Sequence, residues 1–460
     1  MINQILNTDS YKLSHFLQYP PNTEQVSCYV ESRGGRFNRT LFFGLQIFLK
    51  EYMTKFITKE DIELANLFSS EHGEPFNMKG FLELQELGYW PVQIQAIPEG
   101  TIIQTNNVLV QITNTDPRFY WLPSFLETML LRGVWYPTTV CTLSWMCKQL
   151  IKDFMLKTSD NPDDINFKLH DFGARGASSL ETASIGGCSH LVNFMGTDTM
   201  VGILAAQKYY NAKMVGFSIP AAEHSTITSW GGVEGELDSY KNMLNQFAKP
   251  GKIVAVVSDS YDIFKAIKEL WGGHLKNKII DSKATIVIRP DSGNPVTVVR
   301  DVIKELMNVF GYETNTKNYD VLPPYIRVIQ GDGIEYDSIF DILTEMTNCK
   351  LSTDNISFGM GGALLQNLDR DFLKFAMKTS AIKINGNWID VYKDPITDTT
   401  KRSKKGRLAL CKNNINQFIT IRENEAIAFG AENLLKDVYL NGKILREFEF
   451  EEVRKNASGN

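Results

Sequence analysis

The sequence predicts an α/β protein with an irregular (β/α) barrel-like central domain and a discontinuous α+β domain built from the N- and C-terminal segments. Two patterns predict it. From residue 167 onward, short β-forming runs alternate with helices, and each run ends in polar residues or glycine, as barrel strands do on the face where substrates bind. On either side of that series the chain reads as alternating strands, turns and isolated helices, the pattern of an accessory α+β layer. The expected domains are 1–118 with 366–460, and 119–365, with the boundary near Asp116-Pro117. A doubly wound open sheet is the alternative for the central series.

In that series Phe167–His170 is the first run, leading to Asp171, Phe172 and Arg175. Ser178-Ser179-Leu180-Glu181 then fits a capping box, so a helix begins there with its amides toward the same cleft. Asp198 precedes a helix over Met200–Tyr209. Met214–Ser218 leads to Glu223 and His224, Ile253–Ser258 to Asp259, Thr285–Ile288 to Arg289 and Asp291, Ile326–Gln330 to Gly331-Asp332, and Ile356–Phe358 to Gly359. Helices over Glu234–Phe247, Ser260–Leu270, Pro295–Phe310 and Glu335–Met346 fill the gaps. A single polar residue after a strand is ordinary turn chemistry, but a whole series of them points to one pocket.

Outside the series, Asp9-Ser10 reads as a helix cap with Tyr11 as a packing residue. Leu41–Phe56 reads as an amphipathic helix, Val92–Ile97 and Val108–Ile112 as strands, and Tyr120–Val134 and Thr142–Phe154 as two further helices. Asn385-Gly386 is a hairpin signal between Ala381–Ile384 and Trp388–Tyr392. Lys401-Arg402-Ser403-Lys404-Lys405-Gly406-Arg407 packs five cations into seven residues, and the polar tail Glu447–Asn460 is expected to fray.

Composition narrows the function. The chain has 460 residues, 43% of them hydrophobic and 22% charged, and a net charge of −5, which gives no general attraction for nucleic acid. No apolar run reaches the roughly 18–20 residues that span a bilayer, and the N-terminus lacks a signal pattern, so a cytoplasmic enzyme is expected. Cys28, Cys141, Cys147, Cys188, Cys349 and Cys411 form no C-x-x-C pair, which argues against a zinc site and a disulfide framework and for buried free thiols. There is no G-x-S-x-G elbow, no Walker loop, no G-x-G-x-x-G, and no adjacent acidic pair in Val256–Ser260. The Asp, Arg and Gly inventory suits a polyol phosphate, with carboxylates for hydroxyls and arginine or amides for phosphate. Gly361-Gly362, ahead of a helix at Leu364, resembles an amide cradle.

These residues resemble nicotinamide phosphoribosyltransferase, a type II phosphoribosyltransferase family, over nearly the whole chain. The most specific pieces are Thr8–Lys12, Gln18–Thr23, His170–Gly176, Gly196–Thr199, Pro220–Thr228, Val257–Asp262, Ile288–Pro295, Leu322–Gly333 and Lys393–Leu408. The resemblance implies transfer of a phosphoribosyl group from phosphoribosyl pyrophosphate to nicotinamide, giving nicotinamide mononucleotide in NAD salvage. It implies a homodimer with shared sites, ATP as co-substrate, and Mg²⁺ accompanying pyrophosphate or ATP, with no direct metal ligand assigned. The nicotinamide ring would stack between Phe172 and Tyr11 of the other subunit, with its carboxamide at Asp198. Arg289, Asp291, Gly331 and Asp332 would bind base and ribose, while Gly361, Gly362 and a partner-subunit Arg370 would take the 5′-phosphate. Arg175, Lys393, Lys401 and Arg402 would face pyrophosphate or nucleotide phosphates, and Lys378 would belong to the substrate-binding set. His224 resembles the histidine that ATP phosphorylates, with Glu223 and Asp259 orienting it or a nearby magnesium.

The sequence departs from better-known animal members in a short loop after Ser32, in Met360-Gly361-Gly362-Ala363, and at Ala174 and Ala376. The competing readings are a nicotinate phosphoribosyltransferase, which Asp198 would disfavour by charge, and a non-catalytic dimeric nucleotide-binding protein, which would have no reason to keep His224, Arg289, Asp291 and Asp332 together.

Overall fold

The computed structural model describes residues 3–397 and 402–459. The chain divides into two compact units, one of Met1–Thr142, Lys208–Ala212 and Asp369–Asn460, the other of Leu143–Gln207 and Lys213–Leu368.

The first unit is built on a seven-stranded antiparallel sheet in the order Asn387–Asp390, Phe375–Ile384, Thr23–Ser32, Val108–Asn114, Val92–Ala96, Lys436–Leu440, Lys443–Ile444. Thr23–Ser32 pairs on one side with Phe375–Ile384 and on the other with Val108–Asn114, so N- and C-terminal segments share one ladder. This makes the α+β unit discontinuous. Asn385 and Gly386 both take positive φ, 48° and 79°, which is the backbone their hairpin turn requires.

The second unit is a curled parallel sheet of six strands, ordered Gly196–Thr197, Leu169–Asp171, Ile356–Met360, Ile326–Gln330, Thr285–Arg289, Ile253–Val257. Its two edges both meet the segment 217–221, through parallel bridges Gly196↔Phe217 and Ala221↔Ala255. The expected strand Met214–Ser218 is therefore reduced to isolated bridges. Pro220 has no N–H to give a ladder, yet its carbonyl still accepts from Ala255 N–H at 3.0 Å. Ala255, Val287 and Ile329 form a buried cluster against which Phe172 and Ile219 pack. Helices Pro295–Phe310 and Tyr336–Asn348 bury apolar stripes, including Val299, Val302, Ile303 and Leu306 on the first.

Several local expectations change. The helices expected over Tyr120–Val134 and Thr142–Phe154 are one helix, Glu127–Thr158, of 32 residues, with Pro137 inside it, and the division between units falls within it rather than at 118/119. Instead of a helix over Leu41–Phe56, the chain forms a strand Arg39–Leu41, a short helix Leu45–Phe48 and a π turn Leu49–Met53. The buried Glu99 carboxylate explains the late start: it accepts from Gln46 N–H at 2.7 Å and Gly44 N–H at 3.1 Å, neutralising the amides of that helix start. Ser179 rather than Ser178 caps the helix Leu180–His190, accepting from Thr182 N–H at 3.0 Å. Asp9 makes no side-chain cap and accepts instead from Thr128 Oγ1 at 2.7 Å.

The C-terminal tail does not fray. Phe450–Ser458 is a helix whose Phe450, Val453 and Ala457 recur at i, i+3 and i+7 and are buried. Gly100, at φ 86°, lets this helix approach, since an added Cβ would lie 2.4 Å from the Val453 carbonyl oxygen. The cysteines are buried, apart from Cys349, which is partly exposed. Among the described residues no helix is long and apolar enough to cross a membrane.

Candidate active site

The C-terminal ends of neighbouring parallel strands carry the centre of the site. Ile253–Val257 hands on to Ser258-Asp259 and Thr285–Arg289 to Pro290-Asp291, and these two strands are hydrogen-bonded side by side. His224 opens the short helix His224–Thr228 and is 45% exposed, while Asp259 is only 5% exposed. His224 Nε2 and Asp259 Oδ1 are 3.0 Å apart, and His224 Nδ1 lies 3.8 Å from Asp291 Oδ2. An ionised carboxylate only accepts, so in the neutral ring the proton belongs on Nε2 and the Nδ1 lone pair remains available.

Asp259 is fixed from its other oxygen as well. Oδ2 accepts from Asp291 N–H at 2.8 Å and from Ser292 Oγ at 2.5 Å. Burial pushes the Asp259 carboxyl up, but the donors Ser292, Asp291 N–H and His224 outweigh it and hold the group below the usual carboxylate range. Behind it, Trp271 Nε1 donates to Ser258 Oγ at 3.1 Å, and the Trp271 ring stacks on Tyr240 with centroids 4.3 Å apart. Ser258, Ser292 and Trp271 were not among the expected site residues. The adjacency of serines to the aspartates was the available signal, whereas Trp271 reaches Ser258 only through folding.

Beside this pair, Arg289 Nη2 is 3.6 Å from Asp291 Oδ2, and the arginine side chain is 15% exposed. Its Nε is buried without a hydrogen-bond partner, which leaves donor capacity for an anionic or carbonyl ligand. Phe172 is seated on glycine: an added Cβ would lie 2.0 Å from its Cε2 at Gly359 and 3.3 Å at Gly331. The same Cβ at Gly331 would be 3.7 Å from Asp291 Oδ1, so ring, glycine and carboxylate adjoin.

Asp198 follows the edge strand Gly196–Thr197. Its backbone N–H donates to Asp171 O at 2.9 Å and its exposed carboxylate accepts from Ser218 Oγ at 2.5 Å. The loop after Leu169–Asp171 faces the loop after Ile356–Met360, because an added Cβ on Gly173 would be 2.9 Å from Gly361 O and one on Gly176 3.5 Å from Gly362 Cα. Arg175 and Asp332 are exposed at these strand ends. Glu223 takes the hydroxyl of Ser225 on its carboxylate, and its N–H donates to Thr226 Oγ1 at 3.2 Å, so it shapes the helix start that carries His224. The helix after Gly361 spans only Gly362–Leu365.

Tyr11, Arg370, Lys378, Lys393 and Arg402 belong to the first unit. Tyr11 is 53% exposed, with its ring 5.2 Å from that of His15. Arg370 pairs with Asp371 at 3.1 Å and Arg402 with Asp394 at 3.3 Å. Lys378 lines a cavity of about 360 Å³ with Lys12, His15 and Glu127, and burial lowers its pKa. Lys393 is exposed, and its N–H donates to Ser403 Oγ at 2.9 Å. Lys401 lies outside the described residues. The basic run is only partly a solvated loop, since Lys404 pairs with the buried Glu31 and Arg407 with Glu423. Among the described residues no group of three or more His, Cys, Asp or Glu side chains could hold a metal ion.

Residues 167–443 match the model of the nicotinate phosphoribosyltransferase (NAPRTase) family, and residues 3–94 that of the nicotinamide phosphoribosyltransferase N-terminal domain. A nicotinamide phosphoribosyltransferase of Xanthomonas campestris is 53% identical over 461 residues, 99% of this chain and 98% of that protein. The chain belongs to the nicotinamide phosphoribosyltransferase family. A relative of the same name in Mycoplasma pneumoniae is 33% identical over 88% of this chain and 95% of its own. Among solved structures, nicotinate-nucleotide pyrophosphorylase from Pyrococcus furiosus aligns with a TM-score of 0.63 at 18% identity, covering 100% of this chain and 95% of that one. Human nicotinic acid phosphoribosyltransferase aligns with a TM-score of 0.54 at 15% identity, covering 98% and 92%. At such identities the solved structures speak for the fold alone. The phosphoribosyltransferase chemistry of the family accounts for carboxylates and an arginine gathered at parallel strand ends with no nucleophile elbow beside them.

Proposed function

We propose that the chain transfers the phosphoribosyl group of phosphoribosyl pyrophosphate to nicotinamide, giving nicotinamide mononucleotide and pyrophosphate in cytoplasmic NAD salvage, and that ATP stimulates this through phosphorylation of His224. The observation that carries the choice of base is the Asp198 carboxylate, tied by its own N–H to the residue next to Phe172. A flat electron-poor ring stacks on Phe172, and its carboxamide NH₂ donates to Asp198. Nicotinate would bring a second negative charge there, which disfavours the runner-up.

The chain's own part in the reaction is placement and charge. As pyrophosphate leaves C1 of the ribose, positive charge develops on the sugar, and the carboxylates of Asp291 and Asp332 lie at the strand ends to stabilise it and to hold the ribose hydroxyls. Arg175 and Arg289 take the anionic groups of the substrate. Magnesium is assigned to the substrate, arriving chelated by pyrophosphate or ATP. His224, with Nε2 held by Asp259, offers Nδ1 to the γ-phosphate. A second copy of the chain would supply Tyr11, whose ring is 53% exposed, together with Arg370.

The protein mixed with nicotinamide, phosphoribosyl pyrophosphate and Mg²⁺ should form the mononucleotide, faster with ATP. Product from nicotinate but none from nicotinamide would reverse the assignment of the base. Equal rates with and without ATP would remove the phosphohistidine.

A further inference from the structure

We infer that Asp171 is the positioning residue of the base subsite, its side chain and backbone together setting the distance between the Phe172 ring and the Asp198 carboxylate. This rests on the reading of Phe172 and Asp198 given above.

Asp171 is the last residue of the strand Leu169–Asp171 and is fully buried. Its Oδ1 accepts from Gly173 N–H at 2.7 Å, closing a turn around Phe172 and anchoring the peptide that follows the ring-bearing residue, while Phe172 N–H itself donates to Met360 O at 2.9 Å. Its carbonyl oxygen accepts from Asp198 N–H at 2.9 Å, anchoring the other recognition residue to the same unit. Strand pairing holds Asp171 in place from both sides, opposite Met360 and Thr197. Oδ2 faces hydroxyls: the Thr197 hydroxyl is 3.5 Å away, and the Thr199 hydroxyl beside it also acts to hold the carboxyl down. Helix Leu180–His190 presents Gly187 there, where an added Cβ would be 3.4 Å from Oδ2, so that helix offers no cation.

The ionisable neighbour that bears on it is Asp198 across the ladder; Asp198 also bears on His170 on the same strand, and His170 on His190 of the adjoining helix. Burial chiefly, with Asp198 adding to it against the Gly173 N–H and the Thr199 and Thr197 hydroxyls, pushes the Asp171 carboxyl up to about 6. Burial lowers the pKa of His170 and brings that of His190 down to about 3, so His190 stays neutral in that range. A proton taken up by Asp171 turns the charge-assisted bond to Gly173 N–H into an ordinary one and loosens the turn that aims Phe172.

The test is Asp171→Asn, which keeps size and an acceptor for Gly173 N–H while removing the charge. With the other substrate saturating, KM for nicotinamide should rise about tenfold at pH 7.5, and KM for phosphoribosyl pyrophosphate should stay within about twofold, one charge-assisted bond being worth about 1.4 kcal/mol more than a neutral one. The wild type should lose nicotinamide affinity between pH 7.5 and 5.5, and the variant should show no such limb. Thr197→Val, which takes a donor from Oδ2, should move the wild-type midpoint to higher pH and serves if the asparagine variant does not fold. An unchanged nicotinamide KM and pH profile in Asp171→Asn, or an unmoved midpoint in Thr197→Val, overturns the inference. Phe172→Ala and Asp198→Ala separate the two levels: if neither changes nicotinamide KM, the base-site reading falls and takes this inference with it, whereas loss in both with Asp171→Asn silent removes Asp171 alone.

Discussion

Asp259 grips His224 from one side only: Oδ1 meets Nε2 at 3.0 Å, while Oδ2 is occupied by the Asp291 amide and the Ser292 hydroxyl. The carboxylate cannot swing away without giving up both of those donors. The imidazole orientation is therefore set by the loops after two adjacent strands rather than by its own five-residue helix.

Asp259→Ala should leave the ATP-independent reaction within about threefold and cut ATP stimulation and acid-labile phosphate on the protein by roughly ten- to a hundredfold, since a hydrogen bond to a charged group is worth about 1.5–3 kcal/mol. Ser292→Ala should do the same more weakly. Full phosphorylation of both variants would show that the pair does not govern His224.

The proposed contact of the base with Asp198 would decide between bases by charge. Two like charges about 4 Å apart cost on the order of 4 kcal/mol at an effective dielectric of about 20, roughly a thousandfold in preference. Asp198→Asn should weaken use of nicotinamide and raise the relative use of nicotinate, and Asp198→Ser should follow it. Ser218→Ala frees the carboxylate from its 2.5 Å hydroxyl contact and should change nicotinamide KM while preserving the preference. A kcat/KM ratio for the two bases that stays constant in both Asp198 variants would move amide recognition elsewhere, with Arg289 the first candidate.

The glycine seat under Phe172 gives a graded expectation. Gly359→Ala puts a methyl 2.0 Å from Cε2 and must displace the ring, whereas Gly331→Ala meets it at 3.3 Å. Overpacking of this kind costs about 1–3 kcal/mol, so Gly359→Ala should lower the unfolding midpoint and raise nicotinamide KM more than Gly331→Ala. Urea unfolding and base kinetics on the two variants check the order, and the reverse order would contradict the packing.

Acid sensitivity should trace partly to His190. It is fully buried, its Nδ1 lies 2.9 Å from Ser144 Oγ, and burial lowers its pKa from 6.5 to about 3. The unfolded chain binds the proton first, so this contribution to stability is complete above about pH 6.5 and is lost as pH falls toward 3, by at most about 1.4 kcal/mol per pH unit. Asp171, raised from 3.8 to about 6, works in the opposite sense: its penalty is complete above pH 6 and is relieved as pH falls toward 3.8. The midpoint of thermal unfolding should therefore drop less between pH 7 and 5 in His190→Gln than in the wild type, and an identical drop would acquit the histidine.

The parallel βα series, the polar residues at its strand ends and the discontinuous α+β layer were legible in the amino-acid order. Buried β runs, turn residues and helix stripes are local patterns that burial enforces wherever they occur, as with Pro295–Phe310, whose bounds were readable residue by residue. His224, Asp259, Asp291, Arg289, Phe172 and Asp198 could be singled out because each ends a run and the family resemblance covers it. Their mutual contacts come from folding. That His224 is held by Asp259 and flanked by Asp291, that Phe172 sits on Gly359, and that Ser218 meets Asp198 are contacts between strand ends far apart in the chain, fixed by the order of the sheet. Tertiary packing also overruled local propensity where the two competed. It joined two expected helices across Pro137, replaced Leu41–Phe56 by shorter elements around the buried Glu99, and turned the polar tail into a helix, because burying Phe450, Val453 and Ala457 outweighs the charge of the rest of that segment.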